Sequence, residues 1–418
     1  MKKRLLILML SACIFCAVSL RFLAKETESF SENTTEERKE VQLPEKPEEN
    51  RKTKDTLTES KETQPVTEKK EPEPAQEKGS FVPLEHGYAY HCLTPEEQTA
   101  YEEIYGILTG FQEDQPVSLT EPSDIGKIFQ CVMNDHPEIF YVQGYTYTRY
   151  TSQEEPVKLT LSGTYTMSPQ EAQSRQEQME LYVQQCLSGM DGEASDYEKV
   201  KYVYEYLISH TRYQQNAPDN QNLCSVFLYR ESVCQGYAKA TQYLLQRLGV
   251  PATLVIGSVS GGEGHAWNLV QMDGEYYYVD TTWGDASYQR EETEDAWNSH
   301  IPEINYDYLG VTTEQLLRTH RIDNVVPLPD CDHLECNYYV REGTYLTACE
   351  ETQLQQLFDE KYEENGRFLT LKCADTEVYG QVWRFLIEEQ GIFRLLHRNE
   401  GSVAYSDHQE QLSLSFWE

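Results

Sequence analysis

A cysteine, a histidine and an aspartate that could together carry out nucleophilic catalysis follow one another in the middle of the 418-residue chain. Cys234 stands in the run VCQGYA, His265 in GHAWN and Asp280 in YVDTTW. A thiol attacks a carbonyl carbon when a neighbouring base takes its proton, and that base needs a third group to orient it. The three residues therefore predict a nucleophilic thiol site, provided that the fold brings them together.

A helix is predicted to position the thiol, over residues 233–250. Ser232 and Gln235 have the spacing of a capping box, which makes Ser232 the predicted N-cap and leaves Cys234 in the first turn. The unsatisfied N–H groups and the positive end of the helix dipole favour a thiolate at that position. A buried structural cysteine is the alternative, because cysteine is often buried as a small apolar residue.

A hairpin is predicted to position the histidine and the aspartate. The dipeptide Asp273-Gly274 lies between two β-rich runs, which is a strong short-range hairpin signal. Counting outward from this turn places His265 opposite Thr282, two residues from Asp280 and on the same face. Such diagonal neighbours lie roughly 7–8 Å apart between backbones, a gap that an imidazole can bridge to a carboxylate.

The three runs, in this order and spacing, resemble those of the transglutaminase-like superfamily, especially its exported bacterial members. The resemblance implies a papain-like α+β core in which the cysteine helix packs on an antiparallel sheet that carries the histidine and the aspartate. It implies Cys234 as the nucleophile, His265 as the general base and then acid, and Asp280 as the residue that fixes the imidazole. The backbone N–H of Cys234 is the natural oxyanion donor.

We predict that Gln235, Trp267 and Trp283, which neighbour these residues in sequence, contact the substrate. The expected substrate is a protein or peptide, with cell-wall peptides as candidates, and no cofactor and no metal ion are expected. Cys331 and Cys336 in the run CDHLEC could form half of a zinc site, but a second pair of ligands is missing.

The N-terminus, residues 1–24, has the pattern of an export signal or a membrane anchor. A basic start, Met1–Arg4, precedes the apolar run Leu5–Leu20. The run Leu10–Cys13 also resembles a lipoprotein signal box. A cleaved signal, an uncleaved anchor and a lipoprotein all remain open, and each would place the rest of the chain outside the cytoplasm, anchored at the cell surface or secreted.

Composition and periodicity divide the remaining chain into four segments. Residues 25–80 are rich in Glu, Lys, Thr and Pro with almost no core formers, which predicts a disordered charged linker. Residues 81–190 predict an N-terminal α/β region and residues 191–330 the catalytic core. Residues 331–418 predict a C-terminal α+β domain that begins with a strand over Tyr338–Ala348.

Charge and cysteine content limit the partners and leave the redox state open. The formal net charge is −35, which disfavours nucleic acid and anionic surfaces. Two of the eleven cysteines lie in the leader and one is the proposed nucleophile, so eight remain. An even number permits disulfides in an exported protein, but the pairing and the oligomeric state are not predicted.

Three functions stay open at this stage. An active enzyme would form an acyl intermediate on Cys234. Transfer of the acyl group to water would make it a peptidase or amidase, and transfer to an amine would make it a cross-linking acyltransferase. The three residues do not distinguish these two reactions. A catalytically silent binding or scaffold protein on the same fold is the main alternative. In a purely adhesive surface protein, Trp267, Trp283 and the tyrosines at 276–278 would form a ligand platform.

Overall fold

The computed structural model describes seven stretches of the chain, residues 35–42, 87–119, 121–152, 155–286, 304–363, 368–396 and 403–417. The predicted leader, residues 1–24, lies outside them. None of the helices in these stretches combines the length and the apolar character needed to cross a membrane. The chain has an α+β fold, as predicted, with a central unit between an N-terminal and a C-terminal unit.

Helices on a four-stranded antiparallel sheet make the N-terminal unit. The helices are α1 (Tyr88–His91), α2 (Pro95–Thr109) and α3 (Pro122–Asp135). The strands are β1 (Thr35–Gln42), β2 (Gln115–Val117), β3 (Val142–Ser152) and β4 (Glu155–Tyr165), in the order β1-β3-β4-β2. The apolar faces of α2 and α3 meet the sheet in one core that includes Ile104, Ile128 and Leu161.

Strand β1 lies inside the segment that was predicted to be a disordered linker. It pairs antiparallel with β3, from Thr35 opposite Thr151 to Gln42 opposite Gly144. Main-chain hydrogen bonds to an open sheet edge need no apolar side chains, so a charged segment can form such a strand. Residues 35–42 of the predicted linker are thus a strand in this structure, and the rest of residues 25–80 lies outside the described stretches.

The central unit combines helices with a five-stranded sheet in which all neighbours are antiparallel. Its helices are α4 (Pro169–Leu187), α5 (Asp196–His210), α6 (Cys234–Arg247), α7 (Thr281–Gly284) and α8 (Thr313–Leu316). The sheet strands are β7 (Ala252–Val259), β8 (Gly264–Met272), β9 (Glu275–Val279), β10 (Leu309–Val311) and β11 (His320–Ile322), in the order β10-β9-β8-β7-β11. Two short strands, β5 (Arg212–Tyr213) and β6 (Glu231–Ser232), pair beside the start of α6.

Helix α6 lies between the sheet and helix α5. On one side its leucines pack with those of α5 in the main core, where Leu244 meets the cluster of Val203 and Leu207. On the other side Ala238 packs with Leu254, Ile256 and Ala266 of the sheet. Each fully buried leucine contributes about 1.5–3 kcal/mol. The helix is therefore held from both sides, as the predicted packing of a cysteine helix on an antiparallel sheet requires.

Helices on a second four-stranded sheet make the C-terminal unit. Its helices are α9 (Tyr338–Arg341), α10 (Glu351–Glu363), α11 (Thr376–Trp383) and α12 (Ile392–Leu395). Its strands are β12 (Tyr345–Leu346), β13 (Phe368–Cys373), β14 (Ala404–His408) and β15 (Ser413–Trp417), in the order β12-β13-β15-β14. A separate apolar core, with Leu354, Leu371 and Leu414, lies between them.

The strand predicted over Tyr338–Ala348 is wrong for most of that range. Asn337 accepts a hydrogen bond from the N–H of Tyr339 at 3.1 Å and starts helix α9. The ring of Tyr338 stacks on that of Tyr306 at 3.7 Å between centroids. A side-chain cap and a tertiary stacking contact thus outweigh the strand preference of the tyrosines, and only Tyr345–Leu346 is a strand.

Candidate active site

Asp280 stands where strand β9 turns into helix α7, and it caps that helix. Its Oδ1 accepts hydrogen bonds from the N–H groups of Thr282 at 2.9 Å and Trp283 at 3.1 Å. Its own N–H donates to the carbonyl of Tyr308 at 3.0 Å. The carboxylate and the backbone of Asp280 are therefore both held by the fold.

The predicted hairpin register holds for most of its length and then ends. Met272 pairs with Glu275, as predicted, and the pairing continues to Asn268 opposite Val279. Because Asp280 then starts a helix, the chain leaves the strand, and the predicted pairing of His265 with Thr282 is wrong. The predicted proximity of the two functional side chains is nevertheless correct.

His265 and Asp280 form a buried hydrogen bond. Nε2 of His265 lies 2.7 Å from Oδ2 of Asp280, and the two side chains are 5% and 1% exposed. An ionised carboxylate only accepts, so Nε2 carries the proton and Nδ1 of the neutral ring is left as an acceptor. Burial alone would raise the pKa of Asp280, but its interaction with His265 and the hydrogen bond from His320 outweigh burial and hold this pKa well below its usual range.

His320 is a second imidazole on the same carboxylate, and sequence reasoning missed it. Its Nε2 lies 3.1 Å from Oδ2 of Asp280, and its side chain is completely buried. Burial lowers the pKa of His320 more than the hydrogen bond to Asp280 raises it, so the ring is neutral at physiological pH. No motif surrounds residue 320, and the contact depends on β11 reaching the end of the sheet.

Cys234 is the first residue of helix α6, and its side chain is nearly buried, with 6% of the residue exposed. The N-cap is Val233, so the prediction that Ser232 caps this helix is wrong. The hydroxyl of Ser232 is engaged elsewhere, by Ser225 Oγ at 2.7 Å and the carbonyl of Asn220 at 3.3 Å. The thiol still begins the helix, among N–H groups that have no partner within the helix.

Helix α6 and the histidine strand are joined directly. Asn268 of β8 donates from Nδ2 to the carbonyl of Ala238 at 3.0 Å, one turn after Cys234. Gly236 allows the close approach on the opposite side, since a Cβ there would lie 2.0 Å from Ser232 Oγ and 2.7 Å from Ser225 Oγ. The start of the helix is thus fixed relative to the strand that carries His265.

The three predicted substrate-binding residues differ in exposure. Trp267 is completely buried, and its ring packs edge-on against His320 at 4.9 Å between centroids. It offers no surface to a substrate in this structure and instead packs behind the two imidazoles, so the prediction for Trp267 is not supported. Gln235 and Trp283 are partly exposed, and Trp283 Nε1 has no hydrogen-bond partner among the described residues. For these two residues substrate binding stays a prediction.

One group of side chains in the described stretches could hold a metal ion. His265, Asp280 and His320 offer one ligand atom each, all within 4.8 Å of one another. In this arrangement the two Nε2–H groups point at the carboxylate, so a metal ion would have to displace both protons. Cys331 and Cys336, considered as half of a zinc site, do not belong to such a group within the described residues.

A cavity of about 980 Å³ lies away from these residues, between the N-terminal unit and helices α4 and α6. Its lining includes several aromatic side chains, among them Tyr105, Phe111, Tyr141, Tyr243 and Tyr276. Cys234, His265 and Asp280 are not in its lining. The candidate site formed by the three residues is therefore separate from this cavity.

The cysteines that the structure describes form no disulfide. Burial raises the pKa of Cys131, Cys331 and Cys373 to about 12, which makes these thiols poor nucleophiles near neutral pH. Cys92 is exposed, and burial of its sulfur also raises its pKa. Cys92 is thus an accessible thiol with which Cys234 can be compared.

Comparisons with known proteins point to one family. The model of the transglutaminase-like superfamily matches residues 184–281, a range that contains Cys234, His265 and Asp280. The kyphoscoliosis peptidase of Mus musculus is 27% identical over 106 residues, which cover 22% of this chain and 16% of that protein. The chain thus spans less than a fifth of the length of this relative.

Two solved structures are similar over about a third of the chain. One is a TGase, at 17% identity and a TM-score of 0.26, covering 35% of this chain and 47% of that one. The other is the periplasmic domain of TgpA from Pseudomonas aeruginosa, at 13% identity and a TM-score of 0.19, covering 34% of this chain and 73% of that one.

Proposed function

Because this chain carries a domain of the transglutaminase-like superfamily over residues 184–281, we propose that it is a cysteine-dependent acyl-transfer enzyme. The observation that carries the proposal is the buried hydrogen bond between His265 Nε2 and Asp280 Oδ2 at 2.7 Å. It leaves Nδ1 of His265 as a base, on a strand that packs against the helix begun by Cys234.

In the first half of the proposed reaction the thiol of Cys234 gives its proton to His265 Nδ1, and the thiolate attacks the carbonyl carbon of an amide. The backbone N–H of Cys234 stabilises the oxyanion that forms. The imidazolium then protonates the leaving amine, the C–N bond breaks, and an acyl thioester remains on Cys234. Asp280 supports these steps because its negative charge favours the imidazolium and its position fixes the ring.

In the second half an acceptor attacks the carbonyl carbon of the thioester while His265 removes the proton of the acceptor. The C–S bond then breaks, and the imidazolium of His265 returns the proton to the departing thiolate of Cys234. Water as acceptor makes the protein a peptidase or amidase, and an amine makes it a cross-linking enzyme. The same residues serve both outcomes, so the access of water and amines to the thioester decides between them.

The proposed setting is extracytoplasmic. Residues 1–24 have the pattern of an export signal or anchor, so the enzyme would be secreted or tethered to the cell surface. The proposed substrates are proteins or peptides, with cell-wall peptides as candidates. A net charge of −35 argues against nucleic acid as a partner.

Thiol reactivity tests the proposal. The full-length chain is treated with iodoacetamide over a range of pH, and each cysteine is followed by peptide mass spectrometry. Cys234 should react faster near neutral pH than Cys92 although Cys92 is the more exposed thiol, and His265→Ala should abolish the advantage. Reaction of Cys234 no faster than Cys92 would instead favour a silent binding or scaffold protein.

Turnover is tested on labelled peptide amides with and without added amines. Release of the free acid supports a peptidase or amidase, and incorporation of the amine supports a cross-linking enzyme. Cys234→Ala is the matched control, because it removes the proposed nucleophile with a minimal change in volume.

A further inference from the structure

We propose that His320 is a positioning residue for the Cys234, His265 and Asp280 site, and that Gln411 of the C-terminal unit holds His320 in place. This role rests on the function proposed above, and it concerns how the carboxylate of Asp280 is held. It gives the C-terminal unit a part in the active site that its sequence does not suggest.

The carboxylate of Asp280 selects the tautomer of His320, whose ring also lies near Thr319 and the backbone of Leu316. Nε2 faces Oδ2 of Asp280 at 3.1 Å, and an ionised carboxylate offers only acceptors, so Nε2 carries the proton. Nδ1 of the neutral ring is then an acceptor, and it lies 2.9 Å from the hydroxyl of Thr319. Thr319 therefore donates to His320, and His320 donates to Asp280.

Gln411 orients this hydroxyl from the C-terminal unit. It lies in the turn between β14 and β15 and is 4% exposed. Its Nε2 donates to Thr319 Oγ1 at 3.1 Å and to the hydroxyl of Tyr308 at 3.2 Å. The oxygen of Thr319 accepts from Gln411, and the hydroxyl has two possible acceptors for its own proton. Nδ1 of His320, at 2.9 Å, is closer than the hydroxyl of Tyr308, at 3.4 Å, so His320 is the better acceptor.

The orientation of the Gln411 amide is fixed in turn by Lys372. Nζ of Lys372 lies 3.3 Å from Oε1 of Gln411 and 3.1 Å from Oδ1 of Asp307, and the side chain of Lys372 is completely buried. An ammonium group only donates, so Oε1 must face Lys372 and the amide NH₂ must face Thr319. The relay of Lys372, Gln411, Thr319, His320 and Asp280 thus has one consistent direction of donation.

The relay has a direct effect on the catalytic base. Oδ2 of Asp280 is shared by His265 and His320, so the donor on His320 limits where this oxygen can move. Oδ1 is already held by helix α7. Without His320, the oxygen that orients His265 would have a single partner, and the imidazole would be less well placed toward the thiol.

The test uses Cys234 labelling by iodoacetamide in the full-length chain, followed over pH. His320→Phe keeps a ring but removes both hydrogen bonds, and it should slow Cys234 labelling roughly 2- to 30-fold. His320→Gln keeps an N–H donor near the position of Nε2, and it should restore most of the rate and the shape of the pH profile. A ring needed only for packing would give the opposite order, since phenylalanine fills the space better than glutamine.

Gln411→Leu extends the test to the C-terminal unit. It should slow labelling in the wild-type background and have no further effect in His320→Phe, because both changes interrupt the same relay. Gln381→Leu is the matched control, since Gln381 is an exposed glutamine of the same unit; it should leave the rate unchanged. If His320→Phe does not fold, the labelling rates of Gln411→Leu and Gln381→Leu still test the relay. Slower labelling in Gln411→Leu alone supports it, and equal rates contradict it.

Two failures are distinguishable. Fast, His265-dependent labelling that is unchanged in His320→Phe and in Gln411→Leu would overturn this inference and leave the proposed function intact. If the losses of labelling rate in His320→Phe and Gln411→Leu add up in the double variant, the two residues act independently, and the relay would also be overturned. Absence of fast labelling in the wild type would remove the proposed function, and this inference with it.

Discussion

Asp280 binds His265 through one carboxylate oxygen and caps helix α7 through the other. The two tasks are separable, because a backbone N–H only needs an acceptor whereas His265 Nε2–H needs an acceptor in one particular place. This separation allows a substitution that removes one task and keeps the other.

Asp280→Asn should lower acyl transfer by roughly 10³- to 10⁴-fold while the fold survives. The amide oxygen can still cap α7, but the NH₂ group would face His265 and favour the wrong tautomer. The measurements are the rate of acyl transfer from the labelled peptide amides and thermal unfolding. Asp280→Ala is the control: it should lose activity similarly but also lose the cap, at a further cost of about 1 kcal/mol. An Asn variant with wild-type rates would remove Asp280 from the proposed mechanism.

Two histidines, the buried His320 and the partly exposed His408, should give opposite dependences of stability on pH. Burial lowers the pKa of His320 below its unfolded value, so the unfolded state binds the proton more tightly. Its contribution to stability is present above about pH 6.5 and is lost as the pH falls below that value. His320→Gln should therefore lose less stability than the wild type on acidification from about pH 7.5 to pH 5.5, as measured by urea unfolding.

The pKa of His408 is raised, because the hydrogen bond and charge of Asp307 outweigh the effect of burial. Its contribution is fully present below about pH 6.5 and is lost as the pH rises through the folded-state value. His408→Gln should therefore change the slope of the unfolding free energy against pH in the opposite sense to His320→Gln. Equal slopes in the two variants would contradict the assigned protonation states.

Gly236→Ala should destabilise the protein by about 1–3 kcal/mol, because its Cβ would meet Ser232 Oγ and Ser225 Oγ at the start of helix α6. The measurement is thermal unfolding. Gly106→Ala is the matched control in helix α2, where a Cβ would meet nothing within 4 Å. That change should be neutral or stabilising by up to about 1 kcal/mol. A neutral Gly236→Ala would mean that the helix start is less tightly packed than described.

Lys372→Met should destabilise the protein by about 3–5 kcal/mol, since it leaves the buried carboxylate of Asp307 without its cation. The double variant Lys372→Met/Asp307→Asn should recover part of this loss, because it also removes the unpaired charge. Urea unfolding of the two variants measures the difference. A double variant less stable than Lys372→Met would show that Asp307 is held mainly by its other partners, Ser413 and His408.

Local patterns were sufficient for the elements that carry the proposed chemistry. The Asp273-Gly274 turn set the register of the histidine strand, and the helix begins at Cys234, within the predicted first turn. The one capping error was also local. Ser232 had the right spacing for a cap, but its hydroxyl is hydrogen-bonded to Ser225, which no short pattern reveals.

The residues that sequence reasoning missed depend on contacts distant in the chain. His320 meets Asp280 only because β11 pairs with β7 at the edge of the sheet, and Gln411 meets Thr319 only because the C-terminal unit packs against that edge. Neither contact leaves a periodicity or a spacing that can be recognised. Strand β1 was missed for a related reason, since its sequence is mostly charged and its partner β3 lies more than a hundred residues away in the chain.

Strand β1 also bears on how far the domain can travel from a lipid bilayer. If residues 1–24 serve as the proposed anchor, only residues 25–34 separate it from Thr35, which is already part of the N-terminal sheet. Ten extended residues span at most about 35 Å. The N-terminal sheet would then stay within about 35 Å of the bilayer. Substrates for the proposed enzyme would be those close to the membrane rather than those throughout the depth of a cell wall.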